Sequence, residues 1–311
     1  MTATSVTASS PEPEVASRPA GGAARLSAWW DGYWYEPIDC RRLRVFSWIV
    51  HATVLVTAFL IDTWVPPHGW APRSFWQPIG VARILSLPAP TPGTMTALRV
   101  VLLVSAVAAI LLARPDGRAA VRRAARVANA AVFAAYGLWL VWAFSWSKVD
   151  HDRLTIMVAL AVLVVVPGVG VGRDRRAGWA LRTVQVVFIM AYPLSAASKI
   201  QKSGWLWANQ ATFARAIIRR GTKLGNLLVH QGELLRIGQW AFIALEVGSI
   251  AALWRRPRVR AVVLVGIVCL HLFTWLAIGI HFLPHSICLV SFLPLERLRL
   301  PRRVAAPGAA T

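Results

Sequence analysis

The chain has 311 residues, of which 57% are hydrophobic and only 15% are charged. Soluble domains carry roughly a quarter charged residues, so this composition excludes an ordinary soluble domain, a disordered chain and a coiled coil. The 34 Lys+Arg residues outnumber the 13 Asp+Glu residues, and the formal net charge is +21. Most of this charge lies in short clusters between apolar runs, which indicates anionic lipid rather than nucleic acid as the partner.

Residues 1–28 differ in composition from the rest of the chain, being rich in Ala, Ser, Thr, Pro and Gly. Such a segment cannot bury enough apolar surface to offset its ordering entropy, so it is predicted to be a disordered tail. It has no apolar core and is therefore not expected to be a signal peptide. The remainder is predicted to form a transmembrane domain over 29–298 and a short basic cytoplasmic tail over 299–311.

Apolar runs follow one another along the whole predicted domain. They cover 43–61, 97–113, 124–146, 154–172, 182–199, 237–254, 260–280 and 285–296. A membrane-spanning helix needs about 20 residues, so the last run, which is short and contains Pro294, is expected to be a partial span. The sequence predicts an all-α, polytopic membrane helix bundle of about eight transmembrane helices.

The arginine clusters give this bundle an orientation. They lie before the first run, between the second and third, between the fourth and fifth, between the sixth and seventh, and after the last. Basic residues accumulate in cytoplasmic loops. The spacing therefore predicts a multi-pass protein of the cell membrane with both termini in the cytoplasm.

A further set of basic residues lies in 199–236, on the predicted outer side. The accumulation of basic residues in cytoplasmic loops does not account for this set. Within it, 211–219 puts Phe213 and Ile217 on one helical face and Arg215 and Arg219 on another, which is typical of an amphipathic interfacial helix. The alternatives are a helix that rests on lipid headgroups, or a lid or binding surface for an acidic partner.

Polar residues within the first apolar run share a face. Arg44, Ser47, His51 and Asp62 recur at helical spacing, so this face is predicted to point into the bundle. Ionisable residues inside a span usually mark a function or a buried pair. His51 is a candidate ligand, proton carrier or structural hydrogen-bonding group.

Later runs carry further ionisable residues. Tyr192 and Lys199 are seven residues apart on one face of the fifth run, and Lys199 is either an interfacial anchor or a functional amine. If the sixth and seventh runs form a hairpin at Pro257, Glu246 and His271 differ in depth by about 4.5 Å. We therefore predict a buried acid–base or hydrogen-bonded pair between Glu246 and His271.

Two histidines follow the seventh run, His281 and His285. A histidine pair at this spacing can bind a metal on a continuous helix, but Pro284 interrupts the helix and no carboxylate lies close in sequence. We therefore predict no metal site and expect a polar cluster at the mouth of the bundle, on the same side as Lys199 and Trp205.

A further polar motif, VDHD, occupies 149–152 in a predicted outer loop. Its Asp150, His151 and Asp152 are the residue types that bind metals, and a bridging metal is one interpretation. The favoured interpretation is a solvated polar turn.

The stretch Tyr192-P-L-S-A-A-S-Lys199-Ile200, followed by Gly204-Trp205, resembles the horizontally transferred transmembrane domain superfamily, which includes vitamin K-dependent gamma-carboxylase. The resemblance covers roughly 36–298. It implies that Lys199 is a catalytic base that deprotonates a reduced quinone, with reduced menaquinone as the expected cofactor and dioxygen as oxidant. Glu246, His271, Tyr192 and His51 are then expected to line the cavity, with Trp205 at its mouth.

Two departures from the carboxylase limit what the resemblance implies. Ser198 stands where the carboxylase has a second lysine next to Lys199, and no large domain follows the last run. Carboxylation of a peptide is therefore not expected, whereas oxidation of a reduced quinone is still expected.

Two functions of different classes follow. The first is a quinol-dependent membrane enzyme. The alternative is a non-enzymatic accessory protein that helps mature or export a secreted peptide or gives immunity to it, as in bacterial members of the superfamily that help produce a sporulation-delaying toxin peptide. A proton-coupled carrier comes third, because the sequence shows no internal repeat.

Overall fold

The computed structural model describes residues 22–146 and 149–298. The α-helices are α1 (Gly22–Trp34), α2 (Cys40–Val56), α3 (Gly80–Ile84), α4 (Pro92–Leu112), α5 (Ala119–Phe144), α6 (Leu154–Val165), α7 (Arg175–Ser203), α8 (Leu206–Asn209), α9 (Thr212–Arg220), α10 (Lys223–Leu228), α11 (Gly232–Gly248), α12 (Pro257–Ile278) and α13 (Leu283–Ser286). The strands are β1 (Ile38–Asp39) and β2 (Arg173–Asp174). A π-helical turn, Thr57–Ile61, continues α2, and 3-10 turns continue α11 (Ser249–Leu253) and α13 (Ile287–Phe292).

Among the described residues, six helical segments are long and apolar enough to cross a membrane. They are Cys40–Ile61, Pro92–Leu112, Ala119–Phe144, Arg175–Ser203, Gly232–Leu253 and Pro257–Ile278. The predicted all-α, membrane-type architecture is thus supported, but the predicted number of about eight is not confirmed.

The remaining two apolar runs form short helices. Helix α6 has 12 residues, which gives it a length of about 18 Å against a hydrocarbon core of about 30 Å. It ends before Pro167, and proline disfavours helix in the residue that precedes it. The last run forms the shorter apolar helix Leu283–Phe292, and its partial insertion into the membrane stays a prediction.

Helices α2 and α7 begin side by side. Strands β1 and β2 pair antiparallel, with Ile38 opposite Asp174 and Asp39 opposite Arg173. Both helices have an aspartate N-cap: Asp39 accepts a hydrogen bond from the Arg41 amide and Asp174 one from the Arg176 amide, each at 2.7 Å. The caps satisfy backbone donors that a helix start leaves unpaired.

Neighbouring helices pack in the order α2–α4–α5–α6–α7–α11–α12. The largest fully buried side chains at the centre are Trp139, Tyr136, Phe46 and Phe188. Helix α12, in contrast, exposes large apolar side chains that include Val262, Val265, Val268, Leu272 and Leu276. Such continuous apolar surface suits a lipid environment rather than water.

Arginines from two of the predicted cytoplasmic clusters lie where α2 and α7 begin. Arg44 donates to the Gly170 carbonyl at 2.6 Å, and Arg173 donates to the Pro37 carbonyl at 2.6 Å. Arg41 donates to the Leu298 carbonyl. These two clusters therefore lie at the same end of the bundle, while the side of the membrane on which this end lies stays a prediction.

Helix α1 begins at Gly22, within the 1–28 segment whose composition predicts disorder. Its first residues are mainly Ala, Arg and Leu, which have high helix propensity, and this local preference explains the difference. Residues 1–21 and the predicted basic tail 299–311 lie outside the described residues.

The segment between α7 and α11, which the sequence predicts to lie on the outer side and which we call the outer segment, consists of three short helices. Helix α9 has the predicted amphipathic arrangement, since Ile217 is buried while Arg215 and Arg219 are exposed. Helix α10 packs on α12, where the Thr222 amide donates to the Ala277 carbonyl at 3.2 Å. The segment is therefore anchored to the bundle.

Candidate functional site

Lys199 and Glu246 form an ion pair between α7 and α11. Lys199 Nζ lies 2.5 Å from Glu246 Oε1, and the exposed fractions of the two side chains are 19% and 4%. Lys199 Nζ also donates a hydrogen bond of 2.6 Å to Ser195 Oγ. The pair joins two predicted functional residues that are far apart in sequence.

Helical spacing explains how the surroundings of Lys199 arise. Ser195 and Lys199 are four residues apart on α7, as are Phe242 and Glu246 on α11, so each pair shares a helix face. The ammonium lies 5.0 Å from the centre of the Phe242 ring and 5.3 Å from that of Trp207. Both rings are within the distance at which an aromatic face attracts a cation.

A second polar group lies beside this pair. The Tyr192 hydroxyl and His271 Nε2 are 2.7 Å apart and hydrogen-bonded. The His271 and His285 rings are 5.9 Å apart, and His285 Nδ1 lies 2.8 Å from Thr155 Oγ1. Helices α6, α7, α12 and α13 thus contribute to one polar cluster.

These groups line a cavity of about 270 Å³. Its lining residues are His151, Asp152, Ala191, Tyr192, Ser195, Lys199, Phe242, Glu246, Leu270, His271, Phe282 and His285. Within the described part of the chain, Glu246 Oε2 and His271 Nδ1 are buried and have no hydrogen-bond partner. Unsatisfied buried polar atoms are costly, so the cavity suits a ligand that carries a hydroxyl or carbonyl group.

An almost wholly apolar cavity of about 210 Å³ adjoins the first one. Phe242 and Phe282 line both cavities. Phe213 and Ile217 of α9 and Phe273 of α12 form further parts of the apolar wall. The amphipathic outer helix therefore covers the apolar cavity with its hydrophobic face.

The structure brings five of the predicted site residues together around the polar cavity: Lys199, Glu246, His271, Tyr192 and His285. The predicted direct pair between Glu246 and His271 is corrected in one respect. Glu246 bonds to Lys199 and His271 to Tyr192, because α11 packs against α7 as well as against α12. Both residues still face the same cavity.

Three predicted site residues lie elsewhere. His51 is fully buried in α2, where Nδ1 is 2.7 Å from the Ser47 carbonyl oxygen. Trp205 is 57% exposed and stacks on Trp240. His281 is exposed. The sequence predicts Trp205 at the mouth of the cavity, but the tryptophan ring that lies over the Lys199 ammonium is that of Trp207.

Sequence reasoning missed Ser195, Trp207 and Phe242 as neighbours of Lys199. The four-residue spacing from Lys199 would have indicated Ser195, whereas nothing in the sequence singles out Trp207. Asp152, predicted to lie in a solvated turn, lines the cavity. Burial raises the pKa of Asp152 above its ordinary value, and Arg153 opposes that rise.

Within residues 22–146 and 149–298, no group of three or more His, Cys, Asp or Glu side chains is arranged to hold a metal ion. The arrangement around Lys199 instead provides a buried amine and carboxyl group that share hydrogen bonds. Such a pair can accept and release a proton at a group placed in the cavity.

Comparison with family models, with curated proteins and with solved structures finds no match to this chain.

Proposed function

We propose that the chain is a membrane enzyme in which Lys199 removes a proton from a reduced quinone such as menaquinol. The observation that carries this proposal is the 2.5 Å contact between Lys199 and Glu246 at the polar cavity. The resemblance of the Tyr192–Lys199 stretch to the carboxylase-like superfamily supports the same role for the lysine.

Lys199 must be a neutral amine to act as a base. Burial disfavours separate charges, so transfer of the shared proton from Lys199 to Glu246 costs less in this cavity than in water. That transfer leaves an amine at Lys199 and a carboxylic acid at Glu246. Glu246 therefore holds the proton that the lysine must give up before each reaction.

The two adjoining cavities fit a molecule with a polar head and an apolar tail. Together they are of the order of the roughly 300–1,000 Å³ that is typical of ligand pockets. The unsatisfied Glu246 Oε2 and His271 Nδ1 would meet the polar head, and the aromatic wall around Phe213 and Phe273 would meet the tail. When bound, a reduced quinone supplies a weakly acidic hydroxyl group and two electrons for reduction of dioxygen.

Tyr192 and His271 are assigned a positioning role. Their 2.7 Å hydrogen bond fixes the His271 ring, which leaves Nδ1 free to contact a ligand. His285, held by Thr155, closes the cavity behind them.

The decisive experiment measures oxidation of menaquinol in air by the purified full chain in lipid nanodiscs, followed by mass spectrometry. Reduced quinones also oxidise without a catalyst, so the rate is taken relative to empty nanodiscs. Lys199→Ala is expected to lower the catalysed rate at least about 100-fold, which is the usual contribution of a general base. Lys199→Arg should be equally inactive, because arginine is always protonated.

Lys202→Ala is the matched control, since Lys202 is an exposed lysine on the same helix. It should retain the wild-type rate. Tryptophan fluorescence on heating shows whether each variant is folded. A folded wild-type protein without turnover above empty nanodiscs, or a Lys199→Arg variant with full turnover, would exclude the base role.

The alternative function, an accessory protein for a secreted peptide, is favoured by one observation. Helix α9 exposes Arg215, Arg219 and Arg220 on the surface that faces away from the bundle, where an acidic peptide could bind. Lys199 would then be only an anchor, so Lys199→Arg would keep full function. Photo-crosslinking from positions in 211–236 to a co-expressed peptide would support this alternative.

A further inference from the structure

Four arginines line a polar cavity at the end of the bundle where α2 and α7 begin. The cavity has a volume of about 340 Å³. Arg42 comes from α2, Arg182 from α7, Arg255 from the α11–α12 connection and Arg260 from α12. Because they come from four separate segments of the described chain, only the folded bundle brings them together.

The cavity has an excess of positive charge. Within the described part of the chain, its lining contains these arginines and one carboxylate, Glu36, which lies 3.2 Å from Arg255. Arg42 Nε is buried without a hydrogen-bond partner, and its nearest carboxylate, that of Glu296, is 4.0 Å away. An anion in the cavity would supply both the missing acceptor and the missing charge.

An apolar recess adjoins the arginines. A cavity of about 700 Å³ lies next to the polar one, and Tyr33 and Arg255 line both. Its other walls include Trp29 of α1 together with Leu253 and Trp254. Tryptophan and tyrosine side chains are enriched where a membrane meets water. The anion and an apolar chain can therefore be held side by side.

We infer that this pair of cavities binds an amphiphile through its phosphate group, and specifically the headgroup of an anionic phospholipid. Arginine guanidinium groups match the oxygens of a phosphate with paired hydrogen bonds. The acyl chains would lie in the recess between α1 and the α11–α12 connection. This binding site is separate from the Lys199 cavity and does not depend on the proposed quinol chemistry.

The test measures the thermal unfolding of the detergent-purified full chain with three probes. They are dioctanoyl phosphatidylglycerol, dioctanoylglycerol and inorganic phosphate. Phosphatidylglycerol should raise the melting temperature in a saturable manner, whereas dioctanoylglycerol, which lacks the phosphate, should not. Arg42→Gln/Arg182→Gln should weaken the apparent affinity by about tenfold or more, because the variant removes two charged donors to the phosphate.

Two further variants keep the test decisive. Arg123→Gln removes an exposed arginine of α5 and should leave the response unchanged. Glu36→Gln removes the carboxylate that competes with the anion, so it should tighten binding even if the double variant fails to fold. If inorganic phosphate stabilises the wild type as strongly as the lipid and with the same dependence on Glu36, the phosphate site is upheld but its ligand is the free anion.

Two results would overturn the inference. One is stabilisation by dioctanoylglycerol equal to that by phosphatidylglycerol. The other is an equal response of wild type, Arg123→Gln and Glu36→Gln to every probe.

Discussion

Asp62 and Arg153 form a buried, bidentate ion pair that joins the end of the α2 segment to the start of α6. Arg153 donates to the two carboxylate oxygens at 2.7 and 2.9 Å and to the Tyr136 hydroxyl at 3.2 Å. The exposed fraction is 8% for the Arg153 side chain and 3% for the Asp62 side chain. Arg153 directly follows Asp152, which lines the Lys199 cavity, so this pair supports one wall of the candidate site.

We expect Asp62→Asn to destabilise the protein by up to about 3–5 kcal/mol, because it removes the bidentate counter-charge of the buried Arg153 and leaves only Asp152, whose carboxylate lies 3.5 Å from Arg153 Nε. Chemical denaturation in detergent measures the loss. Asp62→Leu/Arg153→Met, which removes both charges, should cost clearly less than the single substitution. Equal destabilisation by the single and double variants would show that the charges themselves are not what matters.

A double-mutant cycle tests the connection between α7 and α11. Lys199→Met and Glu246→Gln should show a coupling free energy of at least about 1 kcal/mol, because the side chains are in direct contact. Glu246→Gln and His271→Asn, whose side chains line the same cavity but bond to different partners, should show a smaller coupling free energy than the first pair. The reverse order of the two coupling energies would favour the Glu246–His271 pair that the sequence predicts.

The sequence predicted which helix faces point inward better than it predicted contacts between helices. Tyr192 and Lys199 share a face of α7, and each makes a contact to another helix. The helical period determines that face. The partner of Lys199 lies 47 residues away, and helical periodicity carries no information about which helices pack together. For the same reason, the sequence did not predict the contact of Asp62 with Arg153.

Tyr192→Phe should lower the rate of the proposed quinol oxidation about tenfold and raise KM more than it lowers kcat. The substitution leaves the Lys199–Glu246 pair intact but removes the hydrogen bond that holds the His271 ring, which costs about 1–3 kcal/mol when the remaining group is buried. Steady-state kinetics in nanodiscs measure both constants. An unchanged KM would argue against a ligand contact at His271.

Gly225→Ala should detach the outer segment from the bundle. A Cβ atom at this position would overlap the Ala277 carbonyl oxygen of α12, so the backbone of α10 must move. Gly248→Ala is the matched control, because a Cβ there meets nothing within 4 Å. Amide hydrogen exchange should rise in α9 and α10 of the first variant only; unchanged protection there would show that α10 tolerates closer packing.

The Asp152 carboxyl group makes the stability of the folded protein depend on pH. Burial raises the pKa of this carboxyl group in the folded protein. At a pH above that raised pKa, the ionised carboxylate therefore destabilises the folded state relative to the unfolded state. The penalty disappears when the pH falls below the ordinary pKa of aspartate, where the group is protonated in both states. Asp152→Asn should therefore raise the melting temperature at about pH 8 and have little effect at about pH 3.5.

Asp116→Asn is a control for which the expected change in melting temperature has the opposite sign. Hydrogen bonds from Arg118 lower the pKa of Asp116 to about 2, so its contribution to stability is complete above the ordinary aspartate pKa and is lost as the pH falls from there to the lowered pKa. This substitution should lower the melting temperature at neutral pH, and the difference from wild type should shrink on acidification. If Asp152→Asn followed the same trend as Asp116→Asn, the charged form of Asp152 would be stabilised in the folded protein. Attraction to Arg153 would then outweigh the effect of burial on this carboxyl group.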